Sequence, residues 1–204
     1  MPISAPPMAE PQRFAVAVLA AGQSRRFGAG DKLAADFRGR RLGEHACHTL
    51  TGLNLAHRWV IAARADHPCG QGWAQDGFAL ALNPQAASGM GTSLALAASL
   101  ALEADVDGLL IALADMPLVP AEHYRTLLAR AAANGPTAIV ASTADGTRSP
   151  PAAFGRDHLA ALAAMAGDLG ARALLHRAEV VPCAAELLID IDDEQALRQA
   201  MSQG

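Results

Sequence analysis

The sequence predicts an α/β fold built on a mostly parallel sheet. Short apolar runs of strand length alternate with helical stretches of ~10–14 residues, the pattern of βαβ units. Those runs are apolar on both faces, as strands buried inside a parallel sheet must be. Hydrophobic residues make up 51% of the 204 positions and aromatic residues only 4%, so a large core of Ala, Leu, Val and Ile is expected.

The elements follow in order. Phe14 to Ala20 is a continuous apolar run that ends in the loop signal Ala21-Gly22. A helical stretch covers about Gly43 to Leu53. Trp59 to Ala63 reads as the next strand, and Phe78 to Leu82 as another, stopped by Asn83-Pro84. Gly91 to Glu103 is rich in Ala and Leu and reads as a helix begun at Gly91 or Thr92. Gly108 to Ala114 is a strand ending at the charged Asp115. Pro120 to Ala133 is a helix with proline at its start, a favoured position. Thr137 to Ala141 is a fifth strand. Ser142 to Pro151 is the loosest interior stretch and reads as a functional loop, followed by Pro150 to Phe154 as a rigid edge segment. Asp157 to Met165 and Gly170 to His176 are short helical patterns. Leu187 to Ile189 is a last strand and Asp193 to Ala200 a last helix.

The length suits one domain. Residues 1–13, with prolines at 6, 7 and 11 and no apolar segment of the signal-peptide kind, read as a disordered lead-in; residues 14–204 read as the single domain. No apolar run reaches the ~18 residues that a membrane span needs, so a cytoplasmic protein without a membrane partner is expected. A net charge of -4 lacks the basic footprint of a nucleic-acid binder. Three cysteines without a CxxC pair give neither a disulfide framework nor a zinc site. His45 and His48 share a helix face, but no second ligand pair has metal spacing.

In parallel sheets, ligands bind at the carboxyl ends of the strands. The polar residues there should therefore form one chemical set. The first such loop runs Leu19-Ala20-Ala21-Gly22-Gln23-Ser24-Arg25-Arg26-Phe27-Gly28-Ala29-Gly30-Asp31-Lys32. Small residues let backbone N–H groups approach phosphate oxygens, and Arg25, Arg26 and Lys32 supply positive charge. It is not a Walker A loop: five residues, not four, lie between Gly22 and Gly28, and Leu33 follows the lysine. Asp115, directly after a buried strand, suits a Mg²⁺ held between phosphates, or a turn. Alternation sets Asp190 and Asp192 on one face if the strand continues; one completes a metal site, or Asp192 or Asp193 caps the last helix. Asn83-Pro84 and Ser88 to Leu94 form a Gly-rich turn into a helix, either an ordinary helix start or a surface that reads a base. Asp168 is placed to cap a helix and Arg172 to reach a phosphate.

Together these motifs resemble the MobA-like NTP transferases, and within them the molybdenum cofactor cytidylyltransferases. The matching residues are Leu19-Ala-Ala-Gly-x-Ser-x-Arg-Phe-Gly with Lys32; Asn83-Pro84 with Gly89 and Ser93-Leu94; Ala114-Asp115-Met116-Pro117; Pro151-x-x-Phe154; Gly167-Asp168-x-Gly170-Ala171-Arg172; and Asp190-Ile191-Asp192. They follow the family's order over roughly Val16 to Leu197. The resemblance implies a Rossmann-like three-layer sandwich of the nucleotide-diphospho-sugar transferase kind, a CTP substrate, Mg²⁺ and release of pyrophosphate. Arg25, Lys32 and Asp115 would be catalytic. Leu19, Ala20, Ala21, Gly22, Ser24, Asn83, Pro84, Gly89 and Ser93 would join them in holding the nucleotide. Asp115, Asp190 and Asp192 would hold the metal, and Phe154, Asp168 and Arg172 would face the acceptor, molybdenum-molybdopterin. The product would pass to a molybdenum hydroxylase. Ala21, where guanylyl-transferring relatives have Gly, favours CTP. Two rival readings are a transferase for another nucleotide or a sugar or alcohol phosphate, and a non-catalytic cofactor carrier or maturation chaperone. Ser149-Pro150-Pro151 departs from the family's Gly- or His-containing turn.

Overall fold

The structure, a computed structural model, describes residues 13–22, 27, 30–165 and 174–202. A seven-stranded sheet forms the middle layer. Its strands are β1 (Phe14–Leu19), β4 (His57–Ala62), β5 (Ala79–Leu82), β6 (Gly108–Leu113), β7 (Ile139–Ala144), β8 (Thr147–Gly155) and β9 (Glu179–Pro182). They lie in the order β5-β4-β1-β6-β8-β7-β9, and β8 alone runs antiparallel. A two-residue hairpin, β2 (Asp36–Phe37) with β3 (Arg40–Arg41), stands apart.

All six residues of β1 are buried, because helices cover both faces of the sheet. Alternation sorts its side chains. Val16 and Val18 face α1 (His45–Leu50), α2 (Gly70–Gln75) and α4 (Ala121–Asn134), where Leu50, Trp73, Tyr124 and Leu127 are buried. Ala15, Ala17 and Leu19 face α3 (Met90–Glu103) and α5 (Leu159–Ala163). α3 lays Ala97, Ala98 and Ala101 against the sheet, each fully buried, and small residues there let helix and strands approach closely. No described helix is long and apolar enough to cross a membrane.

Three local expectations are overturned. The stretch from Ser142 to Pro151 is no loose loop: most of it belongs to the β7–β8 hairpin, turned by Asp145 (φ 49°) and Gly146 (φ 78°). Asp-Gly is the favoured pair for a two-residue hairpin because both positions need positive φ. Nor is Pro150 to Phe154 an edge. β8 sits between β6 and β7, with Ala152, Ala153 and Phe154 buried. The register jumps from Ala141↔Ala152 to Ser142↔Ser149, which leaves Pro150 and Pro151 without ladder partners. Prolines lack the N–H a ladder requires, and a bulge is where a sheet interior tolerates them. Third, Leu187 to Ile189 forms no strand. A 3₁₀ turn spans Ala185–Leu187, and the last strand is Glu179–Pro182, where the β-branched Val181 is buried beside β7. The helix expected at 170–176 falls mostly outside the described residues.

Candidate active site

The strand order reverses at β1. The chain steps outward from β1 to β4 and β5, then crosses back to β6 on the other side. A crevice forms at the carboxyl ends of strands flanking such a reversal. Here those ends are Leu19 and Leu113, tied by the Ala114 N–H donating to the Leu19 carbonyl at 3.1 Å. A cavity of about 470 Å³ opens there, lined by Leu19, Ala21, Gly22, Gly89, Ser93 and Asp115 among others. That volume lies within the usual range for small-ligand sites. A Cβ on Gly22 would meet nothing within 4 Å, so the backbone faces open space. Ser24 and Arg25 lie outside the described residues.

Lys32 is the single lysine of the sequence, beside fifteen arginines. It opens a 3₁₀ turn (Lys32–Ala34) and is only 6% exposed. Its ammonium donates to Asp115 Oδ2 and to Asp192 Oδ1, both at 2.7 Å. A compact ammonium fits between two carboxylates where a planar guanidinium would not. Burial pulls the lysine's pKa down, but the Asp115 and Asp192 carboxylates outweigh it and hold the pKa above the ordinary value. Asp31 caps the turn: its Oδ1 accepts from the Leu33 N–H at 3.1 Å.

The C-terminal acids reach this point without a strand. Ile191 is fully buried beside Phe37, Leu42 and Ala200, and its N–H donates to the Asp115 carbonyl at 2.9 Å. Asp192 thereby meets Lys32. Asp190 is solvent-exposed, yet partial desolvation, with the like charges of Asp192 and Asp115, holds its pKa above the ordinary value. Asp193 caps the last helix, α6 (Glu194–Ser202), by accepting from the Ala196 N–H at 2.8 Å. Capping and charge pairing thus fall to different aspartates.

Asp115 Oδ1 is buried and lacks a hydrogen-bond partner among the described residues. An orphaned carboxylate oxygen fits a cation ligand. Among the described residues no group of three or more acids, histidines or cysteines could hold a metal by itself. Two carboxylates suit Mg²⁺, which is commonly held by one or two carboxylates together with substrate phosphates.

The Asn83 loop is organised from within. Asn83 is buried; its Nδ2 donates to Thr92 Oγ1 and Ser93 Oγ at 2.9 Å, and its Oδ1 accepts from the Gln85 N–H at 2.9 Å. Its polar atoms brace the loop, whereas Ser93 and Gly89 line the cavity. Gly89 has φ 116°, a conformation that favours glycine, and precedes the first turn of α3. Pro84 is exposed and off the cavity wall. Sequence reasoning missed Ala86 and Ala87 on that wall; apolar residues between a strand and a helix carry no chemical signal.

Phe154 is not brought to this site. It is 3% exposed, paired with Leu109 near the start of β6, and packed in the α3-side core. The crevice lies at the other end of β6, so the acceptor role expected of Phe154 has no geometric basis. Asp168 and Arg172 lie outside the described residues.

The family model for the MobA-like NTP transferase domain matches residues 16–181. The purine catabolism protein PucB of Bacillus subtilis is 31% identical over 166 residues, 77% of this chain and 78% of its own. Among solved structures, Rv0371c from Mycobacterium tuberculosis superposes with a TM-score of 0.74 at 21% identity, covering 94% of this chain and 98% of that one. Molybdopterin-guanine dinucleotide biosynthesis protein A from Archaeoglobus fulgidus superposes with a TM-score of 0.64 at 18% identity, covering 93% and 97%.

Proposed function

The chain belongs to the MobA-like NTP transferase family and is a nucleotidyltransferase; from that premise we propose that it transfers CMP from CTP to the terminal phosphate of molybdenum-molybdopterin. The observation that carries the reading is the meeting of Lys32 and Asp192 with Asp115, which lines the β1–β6 cavity.

The cavity takes the nucleoside, with Ser93 and the Gly89 backbone as its polar contacts. Ala21, at the position where guanylyl-transferring relatives have Gly, favours cytosine. An acceptor phosphate oxygen attacks the α-phosphorus in line. The bond from that phosphorus to the bridging oxygen breaks, and pyrophosphate leaves with the electron pair. The attacking oxygen is already ionised, so no general base is needed, and catalysis rests on positioning and charge neutralisation. Lys32 grips the triphosphate and stabilises the departing pyrophosphate, assisted by Arg25. Asp115 with Asp190 or Asp192 would hold Mg²⁺, which when bound would neutralise phosphate charge. Water must be kept from the α-phosphorus, and the apolar wall of Leu19, Leu113 and Ala86 serves that end. A molybdenum hydroxylase would be the recipient of the product.

The test is pyrophosphate release from CTP, GTP, UTP and ATP, each offered with molybdenum-molybdopterin and with sugar and alcohol phosphates. Release from CTP with the pterin alone is expected. Release with another pair would redirect the assignment, and silence with every pair would favour a carrier.

A further inference from the structure

We infer that His67 is a positioning residue for Lys32, acting through Asp31, so that the phosphate grip depends on a histidine that touches no substrate. The inference rests on the proposed role of Lys32 in holding the triphosphate.

His67 is buried after the end of β4. The backbone N–H of Cys69 donates to its Nδ1 at 3.1 Å. That nitrogen is therefore the acceptor, and the ring's proton sits on Nε2. Nε2 lies 3.0 Å from Asp31 Oδ2 and donates to it. The ring plane is fixed by stacking on Trp73, centroid to centroid 4.5 Å. Trp73 is 1% exposed and is itself tethered by its indole N–H, which donates to the Gly43 carbonyl at 2.8 Å.

The same segment holds the Lys32 turn at a second point. The Cys69 thiol donates to the Leu33 carbonyl at 3.1 Å, and burial pushes that thiol up to about 12, so it keeps its proton. Asp31 is thus pinned on one oxygen by His67 and on the other pins Leu33, the residue after the lysine. Arg64 also approaches Asp31, at 3.8 Å, but it is half exposed and long, and fixes no geometry. The hydrogen bond from His67 is what holds the Asp31 carboxyl below its ordinary pKa, ahead of any other cause that lowers it. Lys32 must reach two carboxylates at once, both at 2.7 Å. A shift of the turn by ~1 Å, of the size that costs well-aligned sites up to ~100-fold, breaks both contacts.

The experiment uses the intact chain with His67→Leu, His67→Gln, Asp31→Asn, the double variant His67→Leu/Asp31→Asn, and Lys32→Ala as control. Because the sequence has one lysine, reaction with an amine-acylating reagent, read by mass spectrometry on the Lys32 peptide, reports its burial directly. CTP affinity is measured alongside. His67→Leu should raise Lys32 labelling several-fold and weaken CTP binding about tenfold. His67→Gln, which carries an N–H near the Nε2 position, should restore both to within a few-fold. The double variant should be no worse than His67→Leu, since both changes cut one chain of contacts. Unchanged labelling in His67→Leu overturns the inference whatever happens to affinity. Raised labelling with unchanged CTP affinity overturns the inference if Lys32→Ala does weaken CTP binding; if Lys32→Ala also binds CTP normally, the positioning role stands and it is the phosphate-grip reading that falls.

Discussion

Replacing Lys32 with Met should cost the nucleotide-free protein about 3 kcal/mol. The substitution keeps the apolar stem and removes only the ammonium. Lys32 and Asp115 have side chains 8% and 20% exposed, and stripping one partner from so buried a pair costs ~3–5 kcal/mol, because the other charge stays behind. Asp115 retains some access to water, which argues for the lower end. The second contact adds little: Asp192 is 44% exposed, and pairs of that kind are worth ~0–1 kcal/mol. For a chain near 200 residues, each kcal/mol shifts the melting point by about 2–4 °C, so the fall should be about 6–12 °C. Thermal unfolding followed by circular dichroism at pH 7.5 reads it. Asp192→Asn should move the transition by no more than about 4 °C, and Lys32→Met/Asp115→Leu should recover most of the loss, because no charge is left stranded. A melting point for Lys32→Met equal to that of Asp192→Asn would refute the reasoning.

Other outcomes follow from the same structure. Asp115→Ala should abolish CTP-dependent pyrophosphate release while leaving the circular dichroism spectrum unchanged; retained turnover would remove Asp115 from the chemistry. Burial holds the pKa of His123 below 6.5, while its Nε2 bonds Ser142 Oγ at 2.8 Å. The folded state then binds fewer protons than the unfolded one below that pH, so stability should fall as pH drops from about 6.5. His123→Gln should flatten urea midpoints measured between pH 7 and 5. Gly155→Ala should destabilise by about 1–3 kcal/mol, since its Cβ would fall 2.7 Å from the Gly135 carbonyl oxygen and closer still to that of Pro136. Backbone cannot step aside as a side chain can, and a wild-type melting point would show otherwise.

The parallel half of the sheet was legible because its strands carry uninterrupted apolar runs: Phe14 to Leu19 and Gly108 to Leu113 emerged within a residue or so of their observed ends. Asp115 was legible by position, as the first acid after a buried strand. β8 was not, because two prolines argue against a strand unless a bulge is known to sit opposite them, though Asp145-Gly146 was a usable hairpin signal. β9 was hidden by its brevity, four residues that begin with a charge and end in proline. The meeting of Lys32 with Asp192 spans 160 residues, and no local pattern announces a contact of that separation. Asn83 illustrates the converse: its motif was visible, but only the folded chain shows its amide turned inward to brace the loop.

That span has a consequence for assembly. The sheet is complete once Pro182 has paired with Thr143, yet the acid that meets Lys32 lies ten residues further on. Ile191 and α6 then fold back over the β2–β3 hairpin. The charge set is therefore completed by a segment that follows every strand of the sheet in the chain. A chain clipped behind Pro182 would keep its full sheet and lose one of the two carboxylates that its lysine meets, leaving Asp115 alone, so loss of activity would precede any visible loss of fold.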